Sequence, residues 1–186
     1  MINTRKQILA ISGSIRRNST NEAILKLIAK LYADDLDVLM YSDIDKLPYF
    51  NPDLDYEAVA PSVKSFRELI EKADGIIICT PEYVFGLPGA LKNAMEWTVS
   101  TTVFSNKPFV FIVASGSGER AFESLDVIMS TLLQYKIPDN AKLLIKGGRS
   151  KVNEHGEIID PKVLEEIKEI VDTLIVEIEN PINVIG

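Results

Sequence analysis

The residues best suited to chemistry in this chain lie in two stretches that each follow an apolar run. In "ISGSIRRNSTN" (11–21), small hydroxyl side chains, two arginines and an asparagine gather where a hydrophobic run stops. Ser14, Ser19, Thr20 and Asn21 offer neutral donors, and Arg16 or Arg17 can neutralise a dianion through directed hydrogen bonds. A helix beginning at this point would add unpaired N–H groups and the positive end of its dipole. That donor set matches a phosphate monoester. Two familiar phosphate motifs are absent: there is no GxxxxGK followed by Ser or Thr, and Gly13 stands alone where a dinucleotide fingerprint needs three glycines. The simpler alternative is that Ser19 or Thr20 caps a helix and both arginines are solvated charge.

The second stretch, "TPEYVFGLPGALKNAMEW" (80–97), contains Pro81, Gly86, Pro88 and Gly89, which force a tight backbone. Such a loop presents main-chain N–H and C=O groups. A planar heteroaromatic with donor and acceptor edges, such as the isoalloxazine of a flavin, suits a backbone-lined slot beside Tyr83 and Phe85. The alternative is an ordinary turn in which Tyr83 and Phe85 pack, and packing is the reading preferred for Trp97. A third glycine-rich turn, "SGSGER" (115–120), permits close approach of a ligand to the backbone.

These loops need a scaffold, and the chain supplies a strand and helix alternation throughout. Strands are expected at 7–12, 36–42, 75–80, 108–115 and 141–147, and helices at 20–33, 62–73, 88–100, 119–136 and 160–179. The first helix places Ile24, Leu27, Ile28 and Leu31 on one face. "GIIICT" is so uniformly apolar that it fits a central parallel strand covered on both sides. Alternation of this kind makes a three-layer α/β domain. Right-handed crossovers restrict it to a few doubly wound topologies, in which ligands sit beyond the carboxyl ends of the strands. The loops after strands one, three and four are then the places for a site. The connection from 43 to 61 is too long for an ordinary turn and is expected to lie over another part of the fold.

Composition limits the alternatives. The 186 residues suffice for one well-packed core, and a single domain over 1–186 is expected. With 46% apolar and 25% charged residues, neither a disordered chain nor a membrane protein is indicated, and the longest apolar runs fall far short of the ~20 residues of a membrane span. The start, "MINTRKQILAIS", is not read as an export signal. A net charge of −7 without a basic stripe argues against nucleic acid as a partner. The single cysteine, Cys79, excludes an internal disulfide and reads as a buried small hydrophobe. His155 reads as surface, and Asp53, Asp55 and Glu57 as a solvated acidic loop; no metal is expected.

"GSIRRNSTN" and "PEYVFGLPGALKNAMEW" in register resemble the NADPH-dependent FMN reductases, the flavodoxin-like family that includes quinone, chromate and azo-dye reductases. The resemblance spans essentially the whole chain. The family pattern is met at Gly13, Ser14, Arg16, Ser19 and Asn21, then at Pro81, Glu82, Tyr83, Pro88, Gly89, Leu91, Lys92, Asn93 and Trp97. Val84 stands where the family usually has asparagine, Glu96 where it has aspartate, and "SGSGER" departs from a GGxR-like ending.

This resemblance implies a flavodoxin-like three-layer sandwich around a five-stranded parallel sheet of order 2-1-3-4-5. It implies noncovalent FMN, with Ser14, Arg16, Ser19, Thr20 and Asn21 around the phosphate. Pro81, Glu82, Tyr83, Val84, Phe85, Gly86, Ser115 and Gly116 would lie along the ring. NADPH or NADH would be cosubstrate, with hydride passing to the flavin and then to a quinone, azo or similar acceptor. No protein acid, base or nucleophile is needed, and Glu82 is assigned to loop structure. A homodimer or homotetramer in the cytoplasm is implied, with the 43–61 connection and the 88–100 helix as contact surfaces. Arg17 is left as surface charge. Two other readings stay open: a flavodoxin-like FMN electron carrier without its own NAD(P)H oxidation, and a regulatory protein with a degraded flavin site. Arg16 and the "PEY" to "LKNA" segment favour the reductase, because carriers usually hold the phosphate with Thr and Ser alone.

Overall fold

The five apolar runs form one parallel sheet. In the computed structural model, which describes residues 5–55, 59–151, 153 and 157–181, the strands are β1 (Lys6–Ser12), β2 (Leu36–Tyr41), β3 (Gly75–Thr80), β4 (Phe109–Ser115) and β5 (Lys142–Lys146), in the order β2-β1-β3-β4-β5. Every neighbouring pair is parallel, with Ile8 opposite Val38, Ile76 opposite Phe109 and Ile112 opposite Leu143. All six residues of β3 are buried, as expected of a strand covered on both faces. Ile76, Ile77 and Ile78 each contribute about 1.5–3 kcal/mol of burial to the core they share with Phe109, Phe111 and Ile112.

Among the described residues, five α-helices cover the sheet: α1 (Thr20–Leu31), α2 (Pro61–Lys72), α3 (Gly89–Glu96), α4 (Glu119–Leu133) and α5 (Pro161–Glu179). Right-handed crossovers put α1 on one face and α2, α3 and α4 on the other. α5 returns to the α1 face, where Tyr32 Oη donates to Asp172 Oδ1 at 2.7 Å. The strand order switches sense between β1 and β3, so their carboxyl ends flank the crevice of the fold.

The details differ from the periodicity in two places. α1 buries Asn21, Ile24, Leu25 and Ile28, whereas Leu31 is exposed; the apolar face is turned toward Leu25. α3 begins after Pro88 rather than at it and stops at Glu96, because Thr98, Val99 and Thr101 each donate to the carbonyl three residues back. The 43–61 connection contains 3₁₀ turns at Ile44–Lys46 and Pro52–Leu54 and is tied to α3. Asn93 Nδ2 and Trp97 Nε1 both donate to Pro48 O, at 3.0 and 2.7 Å, and Phe50 N donates to Asn93 Oδ1 at 2.8 Å. Phe50 meets the Trp97 ring edge-on at 5.1 Å.

Within the acidic loop of that connection Asp53 is exposed as expected, whereas Asp55 is not solvated. Asp55 is buried, pairs with Arg67 of α2 and accepts from Ser100 Oγ at 2.6 Å. Arg67 Nε also donates to Trp97 O at 2.7 Å, so one guanidinium joins the connection, α2 and the end of α3. Glu57 and His155 lie outside the described residues.

Candidate functional site

Beyond the carboxyl ends of the strands lies a cleft of about 460 Å³, lined by residues of the loops after β1, β3, β4 and β5. That volume is within the range of sites that hold a cofactor-sized ligand.

The β1 loop reaches the cleft because residue 13 has no side chain. A Cβ on Gly13 would lie 2.1 Å from Thr80 Oγ1, and its N–H donates to Cys79 O at 2.8 Å, so the loop starts pressed against the end of β3. Ser12 Oγ accepts the Ser14 N–H and Ser14 Oγ accepts the Arg16 N–H, both at 3.3 Å, folding the chain back toward α1. Ser19 caps α1: its Oγ accepts the Glu22 N–H at 3.1 Å. The N–H groups of Thr20 and Asn21, first and second in the helix, have no intrahelical acceptor and belong to the positive dipole end. Ser14, Arg16, Ser19, Thr20 and Asn21 all line this end of the cleft. Arg16 is exposed and forms no ion pair among the described residues, whereas Arg17 is exposed outside the lining.

Asn21 is 3% exposed. Its Oδ1 accepts from Cys79 Sγ at 3.3 Å, and its Nδ2 makes no hydrogen bond with any described residue. Burial pushes the Cys79 thiol far up from its ordinary value, so it stays a neutral donor.

The β3 loop turns within four residues. Tyr83 N donates to Gly86 O and Gly86 N to Tyr83 O, at 3.0 and 3.1 Å. Val84 and Phe85, between them, both have positive φ, 52° and 57°, the signature of a type I′ turn. This turn projects their side chains away: Val84 is 97% and Phe85 81% exposed, and neither they nor Gly86 line the cleft. Pro81, Glu82 and Tyr83 do line it, and Tyr83 Oη lies 3.4 Å from Ser14 Oγ, bridging the two loops. Glu82 is turned to the scaffold: its Oε2 accepts the N–H groups of Arg120 and Ala121, at 2.9 and 3.0 Å, and so caps α4.

The β4 loop contributes Ala114, Ser115 and Gly116. Ser115 Oγ accepts the Glu82 N–H at 3.2 Å, holding the β3 and β4 loops at fixed separation. A Cβ on Gly116 would meet nothing within 4 Å, so open space for a flat ligand lies in front of it. Gly147 and Ser150, from the loop after β5, complete the wall; Gly147 N donates to Gly116 O at 3.2 Å. Sequence reasoning did not select these two. The stretch "GGRS" carries the same glycine and hydroxyl signature, and the carboxyl-end rule applies to β5 as well.

One end of the cleft thus offers a cation, helix N–H groups and hydroxyls, and the other offers backbone and small side chains around open space. Residues 7–148 match the family described as NADPH-dependent FMN reductase. The chain belongs to that family. Among relatives of this reductase-family chain, an NAD(P)H-dependent FMN reductase of Pseudomonas aeruginosa is 29% identical, over 88% of this chain and 90% of the relative. A quinone reductase of Escherichia coli K12 is also 29% identical, over 89% of this chain and 85% of its own. Among solved structures, the flavoenzyme NAD(P)H:(acceptor) oxidoreductase FerB of Paracoccus denitrificans shares the fold with a TM-score of 0.72 at 22% identity, covering 95% of this chain and 98% of that one. The donor set, and the open space beside Gly116 in a cleft of this volume, fit FMN, the family's flavin. Among the described residues, no helix is long and apolar enough to cross a membrane.

Proposed function

We propose that this protein is an NAD(P)H-dependent FMN oxidoreductase that passes electrons to a quinone, an azo compound or a similar acceptor. The observation that supports it best is the convergence of Arg16 and the N-terminus of α1 with the Pro81–Tyr83 and Ser115–Gly116 backbone around one cleft. FMN held in this cleft would supply the hydride-accepting and electron-delivering chemistry. The chain's own residues bind and orient.

In this reading Arg16 neutralises the phosphate dianion with directed hydrogen bonds, helped by the N–H groups of Thr20 and Asn21, the Asn21 amide and Ser14 Oγ. Ser19 shapes the same loop as the helix cap. Pro81, Tyr83, Ser115 and Gly116 flank the ring, with Glu82 fixing the loop from behind. Val84 and Phe85 stand beyond the cleft as an apolar projection toward an incoming substrate or a second subunit. A homodimer or homotetramer is proposed on the apolar side chains that the connection and the segment after α3 expose: Tyr49, 92% exposed, with Leu54 and Val99. The proposed compartment is the cytoplasm, where reduced nicotinamide is available.

The test is the absorbance spectrum of the purified protein reconstituted with FMN, followed anaerobically with NADPH and NADH. Bleaching by either nucleotide, with return of colour on a quinone, is the expected result. A flavin that dithionite reduces and neither nucleotide does would make the protein an electron carrier, and failure to take up FMN would sink the assignment.

A further inference from the structure

Asn21 is the one carboxamide in the lining of the phosphate end, almost wholly buried, and a carboxamide in such a place has two opposite faces to offer. Turned one way it presents an NH₂ to the ligand; turned the other it presents a carbonyl oxygen, which a phosphate dianion would repel. The backbone of α1 does not decide between them, since Asn21 makes no side-chain bond to its own helix.

We infer that Cys79 is a positioning residue for the cofactor: its thiol, from the next-to-last residue of β3, holds the Asn21 carbonyl oxygen so that the amide NH₂ faces the cleft. The geometry is direct. Sγ lies 3.3 Å from Oδ1, Cys79 is completely buried, and Nδ2 is left without a partner among the described residues. The thiol is a weak donor, but a carbonyl oxygen is a better acceptor for its S–H than its sulfur is for an amide N–H, so the contact favours the carbonyl end. Gly13 N–H donating to Cys79 O pins the same residue to the phosphate loop. One residue therefore sets both the loop's starting point and the direction of a donor inside it. The role also accounts for a polar atom within the otherwise aliphatic run "GIIIC".

This inference rests on the proposed placement of the FMN phosphate at Asn21, and the experiment separates the two. Affinities of the full-length apoprotein for FMN and for riboflavin, which lacks the phosphate, are measured by quenching of flavin fluorescence. Cys79→Ala is expected to weaken FMN about tenfold, the size of one misdirected hydrogen bond, and to leave riboflavin unchanged. Cys79→Ser, which keeps a donor, restores most of the loss. In an Asn21→Ala background Cys79→Ala has no further effect on FMN. Cys79→Val removes the donor while filling the volume, should the alanine variant fail to fold. If Asn21→Ala weakens FMN and neither Cys79→Ala nor Cys79→Val does, the positioning role is wrong and the phosphate site stands. Equal weakening of FMN and riboflavin by Cys79→Ala would reduce Cys79 to a packing residue. If Asn21→Ala leaves FMN affinity intact, the phosphate placement itself is wrong and the inference falls with it.

Discussion

Glu82 Oε2 lies 2.9 Å from the backbone nitrogen of Arg120, so a carboxylate at the cleft edge is committed to the first turn of α4. Together with the bond to Ala121 N–H, this makes Glu82 a cap supplied from a different loop. Its lone pairs serve structure rather than proton transfer. Glu82→Ala is expected to lower unfolding stability by about 1–2 kcal/mol and to weaken FMN retention, read by urea denaturation and by dialysis. The shape of the turnover pH profile between pH 5 and 8 should not change in Glu82→Gln. Loss of one limb of that profile would make Glu82 an acid or base after all.

Arg16 is the cation of the phosphate end. A charge-assisted hydrogen bond contributes about 1.5–3 kcal/mol, so Arg16→Ala should weaken FMN by roughly 10- to 100-fold and leave riboflavin unaffected. Added salt should weaken FMN less in the variant than in the parent. The same titration on Arg17→Ala should show little change, since Arg17 is outside the cleft lining.

What could be read before the structure follows from where each signal is encoded. β3 was legible because burial on both faces writes a uniform apolar run into "GIIICT", and the loops of the cleft were legible because their motifs are contiguous. Long-range partnerships were not. Asp55 reads as one of several loop acids, and its partner Arg67 lies on another element. Asn93 and Trp97 read as helix residues, yet their polar atoms anchor Pro48. The face of α1 was misjudged because Leu25 and Leu31 both satisfy a helical period with Ile24 and Ile28, and only the sheet and α5 choose between them.

The turn at Val84 and Phe85 is a case where local preference and structure conflict. A type I′ turn asks for Asn-Gly, and a β-branched residue at φ 52° is strained. Strain of this kind costs on the order of 1–3 kcal/mol per residue. Val84→Asn with Phe85→Gly should therefore raise unfolding stability by about 1–2 kcal/mol, measured as a higher urea midpoint at unchanged slope. If the apolar tip serves substrate or subunit contact, the stabilised variant loses turnover with a large quinone or dissociates in sedimentation. An unchanged or lower midpoint would mean that Val84 and Phe85 are held by contacts outside this chain.

Asp55 and Arg67 carry the attachment of the long connection. Their side chains are 3% and 14% exposed, so removing one partner leaves a charge poorly hydrated. Asp55→Ala is expected to destabilise by about 3 kcal/mol, whereas Asp53→Ala, in the exposed part of the same loop, should stay within about 0.5 kcal/mol of the parent. Limited proteolysis should then cut the Asp55→Ala protein first within 43–61.

Glu177 makes the opposite kind of contribution. It lies on α5 with Oε2 buried and without a hydrogen-bond partner among the described residues. Burial raises its pKa above the ordinary carboxyl value, the Phe109 N–H offsetting part of the rise. Ionising a carboxyl whose pKa is raised by burial costs the folded state. That cost is present above the folded value and disappears as pH falls through it, so from this group stability increases on acidification. Glu177→Gln removes the charge while keeping the shape, and at pH 7 it should stabilise by about 1 kcal/mol, the scale of one unsatisfied buried acceptor. Urea midpoints of parent and variant should converge as the pH is lowered from 7 to 4. A difference that persists or widens on acidification would show that Glu177 has a partner in the protein when it is ionised.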